Sequence, residues 1–324
     1  MKNRLGRFGW LAAVGLCAWS QPARAPQTPD FDKVEIHTLP VQGNVYMLVG
    51  AGGNITLQAG KDGVLLVDTE YAPLADKIAA AVRAVSNGPI RYIINTHAHG
   101  DHVGGNEKIA KMGSTIAGGN VAGNISDASV GASIIAHENV LNRMSTVKPP
   151  LPFGDLPTDT YFTAEKNVFF NGEAVQVIHI SKAHTDGDSI VFFRRSDVIS
   201  AGDIFTPGNY PIIDLARGGN VEGVLAGLNK IIEIAVPAEK QEGGTFVIPG
   251  HGRLCDQADV VEYRDMLTII RDRIEDSIKK GMTLEQVKAS KPTRDYDPLY
   301  GSSTGFWTTD MFVEAVYRSL SPKK

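Results

Sequence analysis

The sequence predicts an α/β fold in which two mixed sheets pack face to face with helices on their outer sides. Two observations carry that expectation: short β-branched runs alternate with helical runs, and the second half repeats the plan of the first. A third observation concerns placement, since several predicted strands end on a histidine or an aspartate in a glycine-containing loop.

The N-terminal residues stand apart from this plan. Lys2, Arg4 and Arg7 precede an apolar run from Phe8 to Trp19, and small residues follow at Ala18-Trp19-Ser20 and Ala23-Arg24-Ala25. That is the pattern of a secretory signal. The apolar run falls short of the roughly 20 residues a stable transmembrane helix needs. Residues 1–25 are therefore expected to be removed, after Ser20 or after Ala25, leaving 26–324 as one periplasmic or secreted domain with no integral membrane segment.

After a polar lead from Pro22 to Asp30, the segments Val34–Leu39, Val45–Val49, Ile55–Gln58 and Val64–Asp68 are short, β-branched and separated by Gly or Asn turns. They read as a β-meander. Pro73 opens a helix that runs to about Val85 and stops at Asn87-Gly88-Pro89. The strand Ile90–Asn95 follows and ends on Thr96-His97. Gly113 to Gly131 is rich in Gly, Asn and Ser, the composition of an inserted surface loop or broken hairpin. Ser133–Ala136 resumes as strand, and Glu138–Met144 as a short helix before Pro149, Pro150 and Pro152.

In the second half, strands are predicted near Val168–Phe170, Ala174–Ile180, Ser189–Phe193 and Val198–Ser200, then a helix at Val221–Ile234 and the strand Thr245–Ile248. Val260, Tyr263, Leu267, Ile270 and Ile274 recur at helical spacing in a long helix closed by Lys279-Lys280-Gly281. Thr283 and Gln286 have capping-box spacing for a further helix, and a last one covers about Asp310–Leu320.

Bulk properties narrow the function. With 43% hydrophobic residues the chain can bury a core, and it must do so, because Cys17 leaves with the signal and Cys255 has no partner for a disulfide. A net charge of −4 without a basic cluster argues against nucleic acid as a partner. A small-molecule substrate is the expectation, and the oligomeric state is left open.

Of the eight histidines, His97, His99, His102, His184 and His251 lie in loops just after predicted strands, as do Asp101 and Asp203. Imidazole with carboxylate suits zinc, and the lack of a suitable thiolate removes a structural Cys-type zinc site. In His97-Ala98-His99-Gly100-Asp101-His102, residues two apart on a tight extended loop can face one ion while Asp101 and His102 turn toward another. One loop then seeds both sites.

Five separated motifs make the chain similar to the metallo-β-lactamase superfamily over nearly all of its mature length. They are Leu66-Val67-Asp68-Thr69, the stretch Thr96 to His102, Ala183-His184-Thr185-Asp186-Gly187-Asp188, Ser200-Ala201-Gly202-Asp203, and Ile248-Pro249-Gly250-His251-Gly252. The resemblance implies an αββα sandwich with metals at one edge of the two sheets. It further implies His97, His99 and His184 on a first zinc, Asp101, His102 and His251 on a second, and Asp203 bridging, so two Zn2+ per chain. Asp68 is not a ligand in that family; its end-of-strand position fits a carboxylate that fixes the His97–His102 loop through hydrogen bonds. Two zinc ions so held lower the pKa of a shared water toward about 7 and polarise a substrate carbonyl. Asp101 is then placed to orient that water or relay its proton.

Other conspicuous residues have plainer readings. His137, after a strand, is read as structural, and His179 as a satisfied core histidine; His37 alternates with apolar neighbours and is expected in solvent. Cys255, at the start of the long helix, is not where a thiolate ligand would stand. Tyr296, Tyr300, Phe306 and Trp307 are expected to pack against the body, whereas Tyr210 and Asn209, soon after Asp203, are candidates for substrate contact.

The motifs specify the metal centre more than the acyl compound: an ester, a lactone, a thioester or a lactam would suit it. A true β-lactamase is the first rival, because the His184 segment resembles one lactamase subclass. That subclass has Cys where Asp203 stands, and a bridging carboxylate instead resembles glyoxalase II and homoserine-lactone lactonases. Ile204 to Tyr210 contains no lysine or arginine to meet the carboxylate of a β-lactam antibiotic; Lys182, Arg217 and Arg253 are the cations near enough to a motif to change that. A mononuclear iron enzyme similar to persulfide dioxygenases, and a non-catalytic zinc scaffold, are further rivals.

Overall fold

The computed structural model describes residues 29–115, 131–240 and 243–321. The expected signal segment and residues 116–130 of the expected insertion lie outside the described residues. Thirteen strands among the described residues form two sheets. The first holds β1 (His37–Gln42), β2 (Val45–Val49), β3 (Ile55–Gly60), β4 (Gly63–Val67), β5 (Ile90–Ile94), β6 (Ser133–His137) and β7 (Asp159–Tyr161) in sequence order. Its β1 to β4 pair antiparallel and β4 to β7 parallel. The second holds β8 (Glu165–Phe170), β9 (Glu173–His179), β10 (Ser189–Phe193), β11 (Val198–Ser200), β12 (Phe246–Ile248) and β13 (Cys255–Asp256), again in sequence order from one edge. Only β11 and β12 are parallel there.

Helices α1 (Ala75–Val85), α2 (Gly100–Val103), α3 (Asn106–Lys111) and α4 (Glu138–Ser145) belong to the first half. The second contributes α5 (Val221–Ile234), α6 (Gln257–Lys279), α7 (Leu284–Ser290), α8 (Asp297–Tyr300) and α9 (Thr309–Leu320). No described helix is long and apolar enough to cross a membrane.

Strand β4 shows why the chain forms layers. Its side chains point alternately to the two sheet faces. Val64 and Leu66 join Ile78 and Val82 of α1 in one apolar cluster, while Leu65 and Val67 join Val177 and Val191 of the opposite sheet in another. A third cluster sets Ile190 and Ile199 against Leu228 of α5, Leu267 of α6 and Phe312 of α9. Helix, sheet, sheet and helix therefore follow one another, the αββα sandwich. Continuous apolar runs such as Ser189–Phe193 arise because both faces of the strand are covered. Emptying one such position, as in Leu65→Ala, costs about 2–5 kcal/mol.

The sequence reading differs from the structure in detail. The first strand begins at His37, because Phe31–Lys33 form a 3-10 turn whose carbonyls, with that of Val34, receive the ammonium of Lys77. Strands β7 and β13 and helices α2, α3 and α8 were unforeseen; each is six residues or shorter, too short to show a period. Cys255 lies in β13 opposite Val247 and precedes α6, whose cap is the Asp256–Asp259 box. Thr283 and Gln286 do form the expected reciprocal cap.

Candidate metal centre

Parallel strands deliver their C-terminal ends to one edge. β4 and β5 run together, so Asp68 and the loop from Asn95 emerge side by side. In the second sheet β9, β10 and β11 are successively antiparallel, which restores the direction of β9 in β11, and β12 is parallel to β11. His184 after β9, Asp203 after β11 and His251 after β12 thus reach the same edge. One short stretch supplies His97, His99, Asp101 and His102, and sheet topology brings His184, Asp203 and His251 to it.

Two groups converge there: His97, His99, His184 and Asp203, and beside them Asp101, His102 and His251. In the first, His97 Nε2 is 3.1 Å from His99 Nδ1, which is 2.8 Å from His184 Nε2. In the second, His251 Nε2 is 3.3 Å from both His102 Nε2 and Asp101 Oδ2. Two nitrogens each 2.0–2.1 Å from a tetrahedral zinc lie about 3.4 Å apart, so these separations fit an ion. Asp203 joins the groups: Oδ2 is 3.6 Å from His184 Nε2, and Oδ1 is 3.2 Å from His102 Nε2.

The outward ring nitrogens determine what the inward ones offer. The Thr96 hydroxyl donates to Asp68 Oδ2 (2.7 Å), so its oxygen accepts from His97 Nδ1 (3.0 Å). His99 Nε2 donates to Asp214 Oδ2 (3.0 Å), His184 Nδ1 to the Ile212 carbonyl (2.7 Å) and His102 Nδ1 to Asp68 Oδ2 (2.8 Å). With the proton on the outer nitrogen, the inner nitrogens of His97, His99 and His184 present lone pairs, and that of His102 does so once its second proton is lost. Lone pairs facing one another at about 3 Å require a cation between them, and the buried Asp203 Oδ1 has no hydrogen-bond partner. The residues present therefore fit divalent metal.

Electrostatics separate the two groups. Burial, with nearby His102 and His184, keeps His97 well below the ordinary histidine pKa, and burial outweighs Asp203 to bring His184 to about 4. Both are neutral and ready to ligate. Burial also opposes charge on His102, yet Asp203 and Asp68 outweigh it and raise its pKa. Asp203 itself is buried, but His102, His251 and His184 hold it well below the usual carboxylate range. A metal on the second group competes with a proton on His102, so its binding releases that proton.

Asp68 adopts a left-handed conformation (φ 66°) that aims its carboxylate at Thr96 and His102; Thr96 N donates to its Oδ1 at 2.8 Å. Sequence reasoning missed Asp214, the Ile212 carbonyl and Glu70. Asp214 also accepts from Arg217 Nη1 at 2.6 Å, and its carboxyl is held far below its usual range: burial opposes this, but bonds from His99 and Arg217 prevail. No motif marks Asp214, which is distant in sequence from His99.

The substrate contact expected of Tyr210 is corrected. Its ring is buried, stacked on Phe312 at 4.4 Å, and its hydroxyl bonds Asp297 and the Thr293 carbonyl. The core cluster under α9 captured the aromatic face, which outweighs its short distance from Asp203 in sequence. The Asn209 side chain is exposed, and its carbonyl accepts from Tyr263. His137 stacks on His179 at 3.6 Å, where His179 Nδ1 bonds the Asp188 carbonyl, and neither enters the clusters. His37 is exposed, Tyr296, Tyr300 and Trp307 pack on the core, and Phe306 faces solvent.

The family model of the metallo-beta-lactamase superfamily matches residues 41–251. A comparison with curated proteins finds no match. Among solved structures, the sec-alkylsulfatase Pisa1 from Pseudomonas sp. shares 15% identity at a TM-score of 0.63, over 87% of this chain and 50% of that one. This chain thus spans about half the length of that enzyme. The DIM-1 metallo-beta-lactamase shares 16% identity at a TM-score of 0.53, over 73% of this chain and 99% of that one. A metallo-beta-lactamase from Pontibacter korlensis shares 14% at 0.53, over 72% and 99%. At such identities the likeness shows the fold alone.

Proposed function

Because this chain belongs to the metallo-β-lactamase superfamily, we propose that it is an exported metallo-hydrolase that holds two zinc ions and hydrolyses a carboxylic ester, a lactone or a related acyl compound. The observation that carries this reading is Asp203, whose two oxygens face separate ligand groups and whose Oδ1 has no hydrogen-bond partner. His97, His99 and His184 would hold the first ion, and Asp101, His102 and His251 the second. Bound there, the pair would supply Lewis acidity and a water of lowered pKa. The chain's residues do the rest. Asp101 is partly exposed and beside His251, so its carboxylate can hold a water at the mouth or accept its proton. Asp68, Thr96, Asp214 and the Ile212 carbonyl keep the rings from turning.

The test is metal analysis together with a hydrolysis panel on zinc-loaded protein. The expected result is two zinc ions per chain and a higher kcat/KM on lactones or activated esters than on penicillins and carbapenems. A persistent ratio of one metal, or tightly held iron with oxygen-dependent turnover, would overturn the two-zinc reading.

One observation favours a second reading, a β-lactam or another anionic substrate. Of the three cations near the motifs, Lys182 is exposed and Arg253 pairs with Asp259 in solvent, but Arg217 Nη1 lies 3.3 Å from His99 Nε2 with its side chain half-exposed. A guanidinium there offers N–H groups to a substrate carboxylate or sulfate. On this reading Arg217→Ala raises KM for anionic substrates and leaves neutral lactones unchanged; an equal effect on both would rule it out.

A further inference from the structure

Glu70 is a buried carboxylate on which the metal chemistry above does not draw. It follows Asp68 and Thr69 at the end of β4, is fully buried, and adopts a left-handed backbone (φ 52°). That conformation is disfavoured for a residue with a Cβ, so its retention calls for a local reason. The side chain supplies one. Oε2 accepts from Ala51 N at 3.1 Å and Gly52 N at 2.9 Å, tying down the loop between β2 and β3.

That loop bears directly on the second ligand group. Gly53 N donates to the Asp101 carbonyl at 2.9 Å, and Gly53 lies so close to the His102 ring that a Cβ there would overlap it. Asn54 continues the contact, its N donating to the Gly250 carbonyl beside His251. A Cβ on Gly52 would come within 2.7 Å of the Asp101 carbonyl. Asp68, Thr69 and Glu70 therefore hold His102 in three ways: Asp68 bonds the ring, Thr69 N bonds the His102 carbonyl at 2.7 Å, and Glu70 presses the glycine loop against the ring face. The first group has no contact with this loop among the described bonds.

We propose that Glu70 is a positioning residue for the second metal, acting through the Gly50–Gly53 loop to fix the His102 ring and the Asp101 backbone. This rests on the two-metal reading. Losing the clamp lets the loop lift and the His102 ring tilt, so the second ion loses a preset ligand while the first keeps all of its own.

The experiment titrates metal-free full-length protein with Co2+ and with Zn2+, resolving two binding steps by the cobalt spectrum and by calorimetry. The expected result for Glu70→Ala is a second-step affinity about 10–100-fold weaker and an unchanged first step. Glu70→Gln keeps an oxygen that can accept both amide bonds and is expected to restore most of the loss. Gly53→Ala should reproduce the Glu70→Ala pattern from the other side of the contact. Two unchanged steps in Glu70→Ala, or equal weakening of both, would overturn the proposal, as would a Glu70→Gln variant no better than Glu70→Ala. If Glu70→Ala does not fold, Glu70→Asp, which draws the carboxylate back from the Ala51 and Gly52 amides, decides in the same way. A wild-type protein with a single binding step would refute the two-metal reading itself, and the proposal with it.

Discussion

The two ligand groups meet at Asp203 but differ in exposure and charge. In the first, the side chains of His97 and His184 are 0% and 1% exposed and burial keeps both rings neutral, while His99 is 21% exposed. In the second, His102 is equally buried, but Asp101 and His251 are 26% and 36% exposed, and His102 attracts a proton. The first group is the more closed of the two, and the second the more open to solvent. Strand placement does not account for the difference, since His97 and His251 each follow an interior strand by three residues.

The largest effect is expected from Asp203→Ala, which removes the carboxylate that faces both groups. Second-metal affinity and kcat/KM should fall together by more than the roughly 10–100-fold that loss of an outer partner costs. Elemental analysis beside kinetics checks it; a variant retaining both ions would dissolve the comparison, since the groups would then be independent.

Asp214→Ala should act on the closed group alone. Freed from Asp214, His99 can rotate, and first-step metal affinity should drop about 10–100-fold with the second step little changed. A cobalt titration resolving the two steps would show whether the loss spreads.

The His137–His179 stack lies outside both groups and predicts a pH effect with no metal signature. Burial, then the nearby His179, lowers His137 from the ordinary 6.5 to about 4. Between those values the unfolded chain binds a proton that the folded chain refuses, so this contribution is complete above about pH 6.5 and is lost as pH falls toward 4. Thermal melts at pH 7 and 4.5 should show wild type losing on the order of 2 kcal/mol more than His137→Gln. Metal content at pH 7 should be the same in both; a metal loss in His137→Gln would place the stack inside the site.

The smallest effect is expected from Arg253→Ala. Its ion pair with Asp259 stands in solvent and should be worth about 0–1 kcal/mol, with both metal steps unaltered. Denaturant midpoints and the same titration test this, and a shift in the second step would extend the open group toward α6.

Much of this molecule is legible in the chain itself. The continuous apolar runs of β4 and β10, the helix after Pro73 and the helical spacing from Val260 to Ile274 are local patterns, and local patterns survive folding when both partners of each contact obey them. The ligand types were legible for the same reason, because His97 to His102 sit on one loop whose spacing is itself the signal. What escaped is whatever depends on a partner distant in sequence. Tyr210 looked free beside Asp203, and nothing nearby in sequence announces that Phe312 stacks on it. Glu70 drew no notice in the sequence, although it grips amides 18 and 19 residues away. Asp214 and His99 are 115 residues apart and meet only because β11 and β5 bring their following segments to one edge.

Composition and spacing by themselves thus determined the fold class, the donor atoms and the strand ends that carry them, since side-chain chemistry and backbone period are written residue by residue. The tertiary structure alone decided which nitrogen of each ring faces inward, which outer groups anchor the rings and which ligand group stays open. Those outcomes depend on hydrogen bonds and burial between segments that no single stretch of chain contains.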